Sequence, residues 1–117
     1  MLGDLEQRIM NVIWESDRPL KPAEVLKRME CDLAYTTIMT VMKRLVDKDL
    51  LTRKKQGNVY YYSVATPKRE YAKDNLGELF SSLVDSYGNL AISQFVETVR
   101  ENPQDLKQLK EYLDKQL

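Results

Sequence analysis

The chain has 117 residues, of which 31% are charged, and its 18 basic and 18 acidic side chains cancel. It has one cysteine, Cys31, and no histidine, which excludes an internal disulfide, a Cys/His zinc site and a serine–histidine–aspartate triad. Such a length carries one domain, or a small domain with an appendage, and a modest core.

From the N-terminus, "GDLEQRIMNVIWE" places Leu5, Ile9, Val12 and Ile13 near one face of a helix, with Trp14 close by. Asp4 and Glu6 fall at the positive end of its dipole, where acids are favoured. Asp17-Arg18-Pro19 ends that helix, and Leu20-Lys21 is expected to be extended, because the residue before a proline avoids the α region. Pro22 opens a second helix, "PAEVLKRME", with Val25, Leu26 and Met29 inward. A third helix is expected from Tyr35 to Lys48. Leu51 to Lys55 reads as a strand, Gln56-Gly57-Asn58 as a turn and Val59 to Val64 as a second strand. In that strand Tyr60, Tyr62 and Val64 share one face, assigned here to the core. Three helices followed by a two-stranded ribbon is the order of a winged helix, a variant of the helix-turn-helix.

Ala65-Thr66-Pro67 breaks the pattern, so the expected domains are residues 1–66 and 67–117. Beyond the break every signal is helical. Tyr71, Leu76, Leu79, Phe80, Leu83 and Val84 recur at helical spacing, as do Leu90, Ile92, Phe95, Val96 and Val99. Asn102-Pro103 is an N-cap with proline at the first helical position, Asp105 stands where a capping box carries its acid, and Leu106, Leu109, Leu113 and Leu117 line the last helix. Three short amphipathic helices in such a tail have little to bury against. They pack back on the N-terminal domain or need a partner, and a second copy of the chain is the simplest one. Leu79, Phe80, Leu83, Phe95, Val99, Leu106, Leu109 and Leu113 are therefore the expected dimerisation residues. The fold class is mainly α with a small β-hairpin: a winged helix, then a three-helix dimerisation region.

Charge is uneven along this plan. Residues 1–66 hold eleven basic and nine acidic side chains, and residues 67–117 hold seven and nine. Within residues 33–66, six cations (Lys43, Arg44, Lys48, Arg53, Lys54, Lys55) face only Asp47 and Asp49. A local positive field is what one surface meeting a polyanion needs. Projected on a wheel, the third helix puts Ile38, Val41, Met42 and Leu45 on one side and Thr36, Thr37, Thr40, Lys43 and Arg44 on the other, with Met39 at the boundary. Threonine has a two-way hydroxyl and a methyl suited to base edges and thymine, and it is short enough to let a helix sit deep in a major groove. Lys43 and Arg44 reach phosphates or a guanine edge, and the hairpin adds Arg53, Lys54 and Lys55. The bland alternative is a solvated face of mixed charge. Helix, basic hairpin and order of elements together favour double-stranded DNA.

Other chemistry finds no residues. Carboxylates are scattered, no catalytic group or cofactor loop stands out, and the glycines are isolated. Cys31 reads as a small apolar residue at a helix end rather than a thiol sensor. Tyr60-Tyr61-Tyr62 could stack single-stranded bases, but strand alternation makes packing the better reading. No apolar run approaches the roughly 18 residues that cross a bilayer, and Met1 leads into an amphipathic pattern without a leader-like segment. The expectation is a cytoplasmic protein with no membrane partner. A winged helix used only between proteins, or a small-molecule-responsive regulator, is the competing reading; nothing in the tail sequence marks the pocket that the latter needs.

"LGDLEQRIMNVIW", "DLAYTTIMTVMKRL" and "YYYS" resemble markers of the penicillinase-repressor family of BlaI and MecI, with the copper-responsive CopY as a relative. The resemblance covers nearly the whole chain and is closest to actinobacterial BlaI proteins. It implies a homodimeric repressor with a winged helix and a helical dimerisation region, bound to palindromic operators of β-lactamase or resistance genes. By position it implies that Thr36, Thr37, Thr40 and Arg44 contact DNA. Staphylococcal members carry lysine and arginine where this chain has Thr36 and Met39, so the resemblance does not carry over the precise operator sequence. The family also implies release through a membrane metalloprotease sensor and cleavage of an Asn-Phe bond, matched here by Gln94-Phe95; otherwise Phe95 is an ordinary core residue. The cysteine motif of the copper sensors has no counterpart in "EYLDKQL".

Overall fold

The computed structural model of the chain describes residues 2–116. It divides into two units, one ending at Lys73 and one beginning at Asp74. The first holds α1 (Asp4–Glu15), α2 (Pro22–Met29), α3 (Tyr35–Asp47), β1 (Leu51–Gln56) and β2 (Val59–Val64). Helix α4 (Lys68–Tyr87) starts in the first unit and continues into the second, where α5 (Asn89–Arg100) and α6 (Pro103–Gln116) follow.

One core serves the first unit. Ile9, Met10 and Ile13 of α1, Val25 of α2 and Ile38, Val41, Met42 and Leu45 of α3 close on Leu20, Leu50, Leu51 and Tyr62. Leu5, Val12, Trp14, Leu26 and Met29 pack half-buried around it. The buried set of α3 is the one its periodicity selects. Magnitudes explain why that segment is helical. Its six β-branched residues cost about 0.5 kcal/mol each relative to alanine. Burying each of its four apolar side chains is worth about 1.5–3 kcal/mol, so packing outweighs propensity.

The hairpin is antiparallel, with Leu51 paired to Val64, Arg53 to Tyr62 and Lys55 to Tyr60. Gly57, at φ 64°, is the first of the two loop residues between Gln56 and Val59, where glycine takes a left-handed φ without steric cost. Leu20 adds a third, one-residue rung: its N–H donates to the Tyr62 carbonyl at 3.0 Å and its carbonyl accepts from the Tyr62 N–H at 2.7 Å. That rung fixes where the ribbon leaves the helices, and it corrects the expected core face of β2. Tyr62, at the rung, is buried, whereas Tyr60 and Val64 are 36% and 39% exposed. Burial peaks at Tyr62 and falls off to either side, with Tyr61 and Ser63 half-buried, because only the middle of the strand lies over the helices.

The division between the units falls at Lys73, later than the break at Thr66-Pro67. The first turn of α4 belongs to the first unit because Tyr71 packs against Trp14, ring centroids 5.8 Å apart, and its hydroxyl accepts from the Leu2 N–H at 3.1 Å.

In the second unit, among the described residues, no side chain of α4, α5 or α6 is fully buried. Asn102 caps α6 as its sequence implies, its Oδ1 accepting from the N–H groups of Gln104 at 3.0 Å and Asp105 at 3.3 Å. Leu117, which helical spacing adds to the α6 stripe, lies outside the described residues.

Candidate nucleic-acid interface

Thr36, Thr37, Met39, Thr40, Lys43 and Arg44 are all exposed on α3, opposite its buried face. Met39, the boundary residue, is 41% exposed and belongs to this outer side. The hydroxyl of Thr40 donates to the Thr36 carbonyl at 2.9 Å. Its one proton is thereby used within the helix, which leaves the methyl and the oxygen lone pairs outward. Ala34 at the N-cap has no polar side chain, so the positive end of α3 is open to an anion.

The hairpin does not present its three cations on one face. Arg53 and Lys55 share the face of Tyr60 and Tyr62, while Lys54 pairs with Tyr61 on the other. The Arg53 guanidinium stands over the Tyr60 ring, 4.2 Å from its centroid, and the Lys55 ammonium lies 5.8 Å from the same centroid. Hydrogen bonding to the Tyr62 side chain holds the Arg53 pKa above its ordinary value.

Side-chain bonds, most of them remote in sequence, tie the first unit together around these elements. Glu6, buried in α1, accepts from the Gly3 N–H at 3.0 Å and from Lys48 Nζ, just past the end of α3, at 2.7 Å. The bond from Lys48, then that from Gly3, lowers the Glu6 pKa, against a smaller opposing effect of burial. Trp14 Nε1 donates to the Thr66 carbonyl at 3.0 Å, and the Thr66 hydroxyl donates to the Asp49 carbonyl at 2.8 Å. Arg18 and Glu24 pair at 2.6 Å across the α1–α2 connection. Sequence reading missed the Glu6–Lys48 pair and counted Lys48 in the positive field. One signal could have found it: Glu6 precedes Ile9, Met10 and Ile13 by three, four and seven residues, which places it on the buried stripe.

Of the expected dimerisation residues, Phe80, Leu83, Phe95 and Leu113 are exposed, and Leu79, Val99, Leu106 and Leu109 are half-buried. Phe80 and Phe95 meet edge to face at 5.9 Å. They border an apolar groove of about 670 Å³ between α4 and α5, which the tail sequence gave no sign of. Gln94 and Thr98, also in its lining, bond to each other, Nε2 to Oγ1 at 3.4 Å. The Gln94-Phe95 bond lies inside α5. Among the described residues no cluster of metal-ligating side chains occurs, and no helix is long and apolar enough to cross a membrane.

The sequence pattern of the penicillinase repressor family matches residues 2–115. The chain belongs to that family. It is 31% identical over 101 residues to the transcriptional regulator BlaI of Mycobacterium tuberculosis, covering 84% of this chain and 73% of that one. It is 23% identical over 115 residues to the penicillinase repressor of Bacillus licheniformis, covering 97% and 89%. The crystal structure of MepR, a transcription regulator of the Staphylococcus aureus multidrug efflux pump MepA, superposes with a TM-score of 0.50 at 18% identity, covering 99% of this chain and 81% of that one. That likeness concerns the fold, a winged helix with appended helices. Family membership makes the chain a transcriptional regulator and not an enzyme.

Proposed function

We propose that this chain is a homodimeric repressor that binds palindromic operators through α3 and the hairpin, and that its target genes are of the β-lactamase or antibiotic-resistance type. One observation carries the reading: in a member of a repressor family, a helix with a fully buried apolar side exposes Thr36, Thr37, Met39, Thr40, Lys43 and Arg44 together, next in the chain to a hairpin bearing Arg53, Lys54 and Lys55. Thr36, Thr37, Thr40 and Met39 face base edges, Arg44 a guanine or a phosphate, and Lys43 and the hairpin cations phosphates. In a dimer, two such helices meet half-sites about 34 Å apart, or a multiple of that.

The exposed apolar residues of α4, α5 and α6 support association with a second copy, since such faces gain most by mutual burial. Loss of the dimer separates two weak half-site binders and releases the operator. Cleavage between Gln94 and Phe95 by a sensor-dependent metalloprotease would have that effect, though α5 must unwind locally to admit a protease. DNA as the partner places the working protein in the cytoplasm.

The test is a gel shift on the chain's own upstream region at graded salt. Retardation of a palindrome-containing fragment, weakening steeply with salt, is expected. No retardation of any such fragment at low salt would remove the repressor reading.

A further inference from the structure

Tyr60 is the residue that neither the core nor the base-reading helix explains. It is 36% exposed, not buried as its alternation implies. On its strand face the flanking cations converge on it: Lys55 is its cross-strand partner, and Arg53, one alternation further along, brings its guanidinium to 4.2 Å from the ring centroid. An arginine on an exposed two-stranded ribbon ordinarily samples many rotamers, and fixing one of them is a cost of binding. Beside the hydrogen bond from Arg53 to the Tyr62 side chain, a ring beneath the guanidinium further limits that sampling before any ligand arrives and leaves the remaining N–H donors for a phosphate, since stacking uses the face of the guanidinium and not its donors. Lys55, at 5.8 Å, lies at the outer limit of such an attraction.

We propose that Tyr60 is a positioning residue that pre-organises Arg53 for a DNA phosphate. The proposal rests on the DNA-binding reading and adds an element to it: the wing is a stacked cation–aromatic unit and not merely a positive loop. Tyr60 carries no charge and touches no phosphate in this role; it acts through Arg53.

The experiment measures operator binding by the full chain across a salt series for the unchanged protein, Tyr60→Phe, Tyr60→Ala, Arg53→Ala and the Tyr60→Ala/Arg53→Ala double variant. It is accompanied by NMR order parameters of the Arg53 Nε–H without DNA. Tyr60→Phe keeps the ring face and is expected to bind like the unchanged protein. Tyr60→Ala is expected to bind about two- to fivefold more weakly per wing, the range of an exposed cation–π contact. Its log–log salt slope stays unchanged, because every cation remains. Arg53→Ala lowers the slope by about one per wing, and the double variant binds about as Arg53→Ala alone. The Arg53 Nε–H becomes more mobile in Tyr60→Ala and not in Tyr60→Phe.

If the unchanged protein binds operator and Tyr60→Ala binds equally well, the positioning role is overturned while the repressor reading stands. Full persistence of the Tyr60→Ala loss in the Arg53→Ala background overturns it too, since the ring would then act directly on DNA. If the unchanged protein binds no duplex at low salt, the repressor reading itself fails and this role with it.

Discussion

Replacing Glu6 by glutamine tests whether the pair behind α3 stabilises the winged unit. Glutamine keeps an oxygen for the Gly3 N–H but leaves Lys48 opposite a neutral group. Glu6 has 9% of its side chain exposed and Lys48 has 43%, so water screens one partner only. A gross attraction of about 4 kcal/mol at an effective dielectric near 20 is largely offset by desolvation of the carboxylate and ordering of the lysine. A net loss of about 1 kcal/mol at pH 7 remains, above what most exposed pairs give because the acceptor is buried. In a unit of this size that lowers Tm by roughly 4–8 °C.

The pH dependence has a definite sign. The folded-state pKa of Glu6 is lowered from its ordinary 4.5, so its contribution is complete above that value and disappears as pH falls through the lowered one. Glu6→Gln and the unchanged chain should therefore differ at neutral pH and converge in acid. Trp14 is the single tryptophan and is bonded to Thr66, so its fluorescence follows the winged unit during thermal melts. Equal melting temperatures at pH 7, or a gap that persists unchanged in acid, would refute the assigned role.

At position 40, Thr40→Ser should weaken operator binding more than Thr40→Val, because the hydroxyl proton is held by the Thr36 carbonyl, so valine gives up only an outward acceptor whereas serine gives up the methyl that meets a thymine; the reverse order in a binding titration rules this out. Thr37→Ala should lower specific binding more than non-specific binding, by about tenfold for a lost base contact, and equal losses on both DNAs would show that Thr37 reads no base. Phe80→Ala with Phe95→Ala should shift sedimentation equilibrium toward monomer, since both rings border the exposed apolar groove; an unchanged dimer fraction counts against that surface. Fragment masses from induced cells test proteolysis, with an intact chain during derepression excluding cleavage at Gln94-Phe95.

Local pattern reached far in this chain. The spacing of Ile38, Val41, Met42 and Leu45 gave the buried side of α3 and so its exposed side, because a helix projects its faces by period alone. Asn102 announced its own cap, and Gly57 its turn, because both act within a few residues. Tyr60 shows where such reading stops. A period of two says which residues share a face, not how far along the strand the helices extend.

The sequence by itself determined the helices, the hairpin and the side of α3 that carries the threonines, since these follow from spacing and turn chemistry. Only the tertiary structure decided that Lys48 bonds Glu6, that the Leu20 rung buries Tyr62 and leaves Tyr60 outside, and that Arg53 stacks on Tyr60. Those outcomes depend on where one element lies on another. The partners are separated by up to 42 residues in the chain, beyond the reach of any local period.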